Sequence, residues 1–190
     1  MKDWKKEILT IPNLLSLFRL VLIPVYVILY LNAVTPTDYA VAAAVLAVSC
    51  LTDMADGKIA RHFNMISTVG KLLDPVADKA TQFSLLLCLA IEFPVLWSLM
   101  GLFIIKESFQ LIAGLIAYRK GRMLKGALMS GKICTTVLFL SLIVMVLCHH
   151  SLTPPVIHIV TLIDGLFMLV AFVHYAMTYY KNTSMIQDIR

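Results

Sequence analysis

Four aspartates, Asp53, Asp56, Asp74 and Asp78, stand in the stretch LTDMADGKIARHFNMISTVGKLLDPVADK, residues 51–79, between two runs that are almost wholly apolar. On a helix Asp53 and Asp56 are i and i+3, with Gly57 and Ala60 continuing their stripe; Asp74 and Asp78 are i and i+4, with Gly70 one turn before. Two neighbouring helices would point two carboxylates each at a common volume. Like charges so close raise one another's pKa values unless cations neutralise them. Lys58, Arg61, Lys71 and Lys79 are near in sequence, but point charges on flexible stems seldom organise so dense a cluster. A donor set of carboxylate oxygens favours hard Mg2+ or Mn2+ over zinc. Two such ions about 3.5 to 4 Å apart form a clamp for in-line displacement at phosphorus.

The residues around the aspartates fit the same chemistry. Gly57 and Gly70 remove side chains where backbone would approach a bulky ligand such as a nucleotide diphosphate, or another helix. Arg61, one turn past Gly57, would clamp a phosphate or mark a membrane boundary. Pro75 leaves two options: Asp74 caps a helix beginning at Pro75, or the span is kinked there.

The elements that position these groups follow from composition. The chain has 190 residues, 60% of them hydrophobic and 14% charged, with mean hydropathy +0.88; these values define an all-α integral membrane protein. A bilayer core about 30 Å thick needs roughly 20 apolar residues per helical span. Such stretches lie near 13–32, 39–60, 70–92, 95–118, 128–148 and 155–180, predicting six transmembrane helices in a single domain, 1–190. MKDWKKEIL, with a basic face and Trp4 beside apolar residues, reads as an N-terminal interfacial helix or a basic anchor. It is unlike a cleaved signal peptide, because the apolar run that follows is too long.

Basic residues test the partition. Lys2, Lys5, Lys6, Lys58, Arg61, Lys71, Arg119, Lys120, Arg122, Lys125, Lys181 and Arg190 all fall on the side holding both termini, whereas LNAVTPTDY, EFPVLW and HHSLTPPVIH hold no Lys or Arg. By the excess of Lys and Arg in cytoplasmic loops, both termini and the acidic segment face the cytoplasm. The net charge of +5 rims a hydrophobic body and forms no Arg-rich soluble module, so no nucleic acid is expected; membrane lipids and phosphorylated substrates suit it better. Cys50, Cys88, Cys134 and Cys148 are expected as core thiols, and the five histidines, without ligand spacing, carry no assigned chemistry. Lys106, Glu107 and Asp164 are expected to pair among themselves inside the membrane. A non-enzymatic cation or proton carrier would need polar groups continuing to the far side; the outer halves of the spans are otherwise almost purely apolar.

Read as a pattern, the stretch is D-x-x-D-G-x-x-A-R, eight residues, then G-x-x-x-D-x-x-x-D, carried without departure by Asp53, Asp56, Gly57, Ala60, Arg61, Gly70, Asp74 and Asp78. It resembles the CDP-alcohol phosphatidyltransferases. The resemblance implies a homodimer of six-helix subunits in a bacterial cytoplasmic membrane, CDP-diacylglycerol as donor, a polar alcohol as acceptor and CMP as leaving group. It implies two divalent cations held by Asp53, Asp56, Asp74 and Asp78, with Asp78 also the catalytic base. Asn13, Gly57, Ala60, Arg61 and Gly70 would bind the donor nucleotide.

The acceptor is read from weaker likenesses. IPNLLSLFRLVLIP resembles the opening of phosphatidylglycerophosphate synthases, with Asn13, Ser16 and Arg19 one turn apart on one face and Ser16 where Thr is more usual. Arg19 inside an apolar span needs an anionic partner, a phosphate or the interface. SGKICTT resembles the Gly-Lys-x-Lys-Thr stretch of those synthases, with Cys134 in place of a lysine, and Lys106–Glu107 lacks their second arginine before Arg119. The resemblance thus assigns Ser16, Arg19, Arg119 and Lys132 to the acceptor, with glycerol 3-phosphate first and phosphatidylglycerol, as in cardiolipin synthases, the alternative.

Overall fold

The computed structural model describes residues 11–62, 70–119 and 129–187, and of these the side chains of 13–52, 73–116, 119 and 129–180. The expected interfacial helix at the N-terminus lies outside the described residues. Within them the chain is helical, as six long helices: α1 (Ile11–Leu31), α2 (Pro36–His62), α3 (Gly70–Glu92), α4 (Leu96–Arg119), α5 (Met129–Leu147) and α6 (Pro154–Gln187), with a 3-10 turn at His149–Ser151. α1, α4, α5 and α6 are long and apolar enough to cross a bilayer. α2 has a shorter apolar stretch, Pro36–Thr52, among the described residues; the first two aspartates follow it in sequence, and α3 opens with the other two.

Local sequence explains where helices begin. Thr35, Pro36 and Asp38 form a capping box: Asp38 Oδ2 accepts the backbone N–H of Thr35 at 2.8 Å and of Val34 at 3.1 Å, while Thr35 Oγ1 accepts the Asp38 N–H at 3.3 Å. α3 does not begin at Pro75. It starts at Gly70 and runs through the proline, which sits near enough to the helix start that the backbone loses one donor in the second turn.

The described chain divides into two compact units, one taking the chain to Glu92 with Ile143–Ser151, the other Phe93–Leu142 and the chain from Leu152. In the first, α1 packs on both α2 and α3, with the small Ala42 and Ala43 buried on α2 and allowing close approach. α1 and α3 run parallel: Ser16 meets Asp74, Arg19 meets Asp78 and Tyr30 meets Glu92, at sequence separations of 58, 59 and 62. Ser16, Arg19, Ile23, Tyr26 and Tyr30 alternate steps of three and four, the spacing that keeps one helical seam on its neighbour. In the second unit α4 packs on α6, and Phe109 meets Phe172 edge to face at 5.1 Å.

Two expectations are corrected. Lys106 Nζ does pair with Glu107 Oε1 at 2.6 Å, but Asp164 joins neither; Ser141 Oγ donates to its Oδ2 at 2.5 Å. The long Lys106 stem bends to its chain neighbour, while Asp164 meets the Ser141 hydroxyl of α5. Cys88 and Cys134 are core thiols, whereas Cys148 is exposed, since it lies in the turn after α5 ends.

Candidate active site

Two of the four aspartates carry described side chains, and each is held by α1. Ser16 Oγ donates to Asp74 Oδ1, and Arg19 Nη1 donates to Asp78 Oδ1 at 2.5 Å. Ser16 and Arg19 are 0% and 2% exposed, and Asn13, one turn earlier, is also buried. The Asp78 side chain is 46% exposed, whereas that of Arg19 is 3% exposed. Burial excludes snorkelling for Arg19: a buried guanidinium stays charged and needs an anion to offset its lost hydration, and Asp78 supplies one.

Asp53 and Asp56 lie one turn apart in the last part of α2, with Gly57, Ala60 and Arg61 following, and Gly70 is the first residue of α3. Their side chains are outside the described residues. Among the described residues no three His, Cys, Asp or Glu side chains gather to hold a metal. The donor chemistry fits hard divalent cations nonetheless. The carboxylates at 74 and 78 face one helix, take a hydroxyl and a guanidinium, and offer oxygen alone. Of the acceptor candidates, Ser16 and Arg19 belong to this cluster. Arg119 closes α4 and Lys132 stands in the first turn of α5, both exposed and both in the second unit.

One turn further along the seam a small cavity of about 10 Å3 lies between α1, α2 and α3, its hydroxyl-bearing walls being Tyr26, Ser49, Thr81 and Ser84. Thr81 gives its hydroxyl to the Ala77 carbonyl at 2.8 Å, while the buried Tyr26 hydroxyl lies against the Cys88 thiol.

At the other end of α1 and α3 the structure holds a polar cluster that the sequence reading missed. Glu92 accepts from Tyr30 at 2.7 Å and from Tyr39 at 3.2 Å, and pairs with His149 Nε2. The His149 ring stacks on Tyr39 at 3.8 Å and 10°. A carboxylate closing an apolar helix, with Tyr26 and Tyr30 one turn apart on another, was the available signal. His149 could not be matched to it from spacing, because its partners are far away in the chain.

Helices of this length and hydropathy, with carboxylates and a buried guanidinium grouped on one seam, define a helical integral membrane protein with a polar centre inside its first unit. The sequence profile of CDP-alcohol phosphatidyltransferases matches residues 9–179, and the chain belongs to that family. It is similar to a CMP-forming cardiolipin synthase of Streptomyces coelicolor, 45% identical over 75 residues, 38% of this chain and 35% of that protein. It is similar also to a CDP-diacylglycerol–glycerol-3-phosphate 3-phosphatidyltransferase of Escherichia coli, 46% identical over 69 residues, 36% and 37% of the two chains. In both cases the chain spans little more than a third of the relative it matches.

Proposed function

We propose that the whole chain acts as one phosphatidyltransferase domain that moves a phosphatidyl group from CDP-diacylglycerol to glycerol 3-phosphate, releasing CMP. The observation that carries this is the pairing of Ser16 with Asp74 and Arg19 with Asp78. It fixes two motif carboxylates near the start of α3, to which Asp53 and Asp56 would add two more. The relatives named for glycerol-3-phosphate transfer and cardiolipin synthesis support the substrate class.

Asp53, Asp56, Asp74 and Asp78 would hold two divalent cations, Mg2+ or Mn2+, which supply Lewis acidity at the phosphate oxygens. Asn13, Gly57, Ala60, Arg61 and Gly70 would seat the nucleotide. Asp78 would take the proton of the acceptor hydroxyl, whose oxygen attacks the lipid-bearing phosphorus. Arg19, fixed within 2.5 Å of Asp78, holds that carboxylate in place and brings positive charge to where anionic oxygens gather. Ser16, Arg19, Arg119 and Lys132 would bind the acceptor. The active form would be a homodimer in a bacterial cytoplasmic membrane, with six spans and both termini and site at the cytoplasmic face.

One observation favours a second acceptor. Lys106 is buried and committed to Glu107 at 2.6 Å, leaving fewer cations for a doubly charged phosphate; phosphatidylglycerol, as in cardiolipin synthesis, needs fewer. Purified protein given CDP-diacylglycerol and each acceptor separately tests both readings. A phosphatidylglycerophosphate mass is expected with glycerol 3-phosphate, and no lipid product with either acceptor refutes the proposal.

A further inference from the structure

The opening of α5 is seated on α6 by two successive residues of each helix. Ser130 Oγ lies 2.8 Å from His174 Nδ1. Gly131, next along, is buried, and a Cβ placed there would stand 2.6 Å from Tyr175 Oη and 2.8 Å from its Cε2. Real side chains do not tolerate such distances, so it is the absence of a side chain at 131 that lets the Tyr175 ring lie against α5 backbone. Gln110 Nε2, from α4, reaches the same hydroxyl at 3.4 Å. Three helices of the second unit therefore meet at Tyr175. Lys132 follows, turned about 100° around the helix, and is exposed. The hydroxyls of Thr135 and Thr136 accept no slack behind it: they donate to the Gly131 and Lys132 carbonyls at 3.0 and 2.9 Å.

We infer that His174 and Tyr175 are positioning residues for Lys132. They fix the first turn of α5, and with it the Cα from which the lysine reaches the phosphate of the acceptor. The inference rests on the acceptor reading of Lys132 given above. A lysine stem is flexible, so its grip on an anion depends on where its root is held. Neither α6 side chain needs to touch substrate.

Steady-state kinetics separate the two layers, with glycerol 3-phosphate and CDP-diacylglycerol varied in turn and each variant checked for a monodisperse elution profile. Lys132→Ala is expected to raise the glycerol 3-phosphate KM about tenfold or more with the donor KM unchanged. Gly131→Ala, pushing ring and helix apart, is expected to raise it about fivefold with the same selectivity. The double variant Gly131→Ala/Tyr175→Ala should be no worse than Tyr175→Ala alone, since no ring remains to collide with. His174→Asn, which keeps a polar atom near the Nδ1 position, should retain the native KM where His174→Ala does not.

If Lys132→Ala leaves the acceptor KM untouched, the reading of Lys132 fails and the inference falls with it. If Lys132→Ala acts but Gly131→Ala and His174→Ala do not, or if they change both KM values alike, the positioning role alone is overturned. Should Gly131→Ala not fold, the His174 pair of variants decides the matter. A native enzyme inert with glycerol 3-phosphate refutes the acceptor reading itself.

Discussion

Tyr30 gives its hydroxyl to Glu92 Oε2 at 2.7 Å, whereas Tyr26, one turn earlier on the same seam of α1, buries its hydroxyl against the Cys88 thiol. The same residue type therefore meets a strong partner at one position and a weak one at its neighbour. A bond to a charged acceptor contributes about 1.5–3 kcal/mol, and a thiol is a weak donor and acceptor. Tyr30→Phe is expected to lower stability by about 1 kcal/mol or more, and Tyr26→Phe to change it by less than about 1 kcal/mol. Thermal unfolding in one detergent compares the two, and equal losses would contradict the assignment.

Asp38 offers a pH test at the start of α2. The backbone N–H of Thr35, then that of Val34, and the Thr35 hydroxyl hold its carboxyl below the usual carboxylate range. A carboxyl lowered on folding contributes stability that is present above its unfolded value, about 4, and is lost as pH falls through the lower folded value. The stability gap between the native chain and Asp38→Ala should be constant above about pH 5 and should close below about pH 4. A gap that widens on acidification would show that the capping carboxylate is not its source.

Asp164 sits 2% exposed on α6 with Ser141 on one oxygen and no partner on the other among the described residues. What it supplies is a hydrogen bond between α5 and α6 and not a charge for Lys106. Asp164→Asn should therefore be tolerated within about 1 kcal/mol, while Asp164→Leu, which removes the interhelix bond and leaves the Ser141 hydroxyl only the Leu138 carbonyl at 2.9 Å, should cost about 1–2 kcal/mol. Chemical unfolding measures both, and a larger loss for Asn than for Leu would show that charge matters there.

Arg19 is buried to 2% exposure beside the motif aspartate Asp78. Replacing it by Gln keeps a donor but removes the charge that compensates Asp78, and should lower kcat/KM about a hundredfold, roughly 3 kcal/mol of transition-state stabilisation. Arg19→Lys should recover part of this, since the charge returns without the planar fork. Activity unchanged in Arg19→Gln would remove Arg19 from the site.

Much of this was legible in residue order. The helices begin within about three residues of the apolar runs and, apart from α6, which continues to Gln187, end within about two of them, because hydropathy and length are properties of the segment itself. Asp74 and Asp78 declared themselves by spacing, and Arg19 by its cost inside an apolar run. What could not be read was which partner each polar group finds across helices. Arg19 called for an anion, and the sequence offered a phosphate or the interface; the fold answers with Asp78, because α1 and α3 run parallel in register. His149 and Glu92 are 57 residues apart, and nothing local joins them. Asp164 went to Ser141 for the same reason: the register of α5 against α6 decides it, and no one-dimensional pattern encodes that register.

The metal ligands and the base are separable by experiment. Chelation should abolish turnover, and Mg2+ or Mn2+ should restore it, because an oxygen-only donor set binds such ions reversibly. Asp78→Asn keeps the shape and a hydrogen-bonding oxygen near Arg19 but removes the basic lone pair. It should cut kcat about a thousandfold or more, general-base help being worth about 10²–10⁴-fold with the lost ligand added, while CDP binding survives. Asp53→Asn leaves the base in place and weakens the cation grip, so both CDP affinity and kcat should fall. Calorimetric titration of CDP alongside turnover tells the two apart. An active Asp78→Asn enzyme would assign the base elsewhere, and Asp53→Asn with unchanged cation dependence would take that residue out of the ligand set.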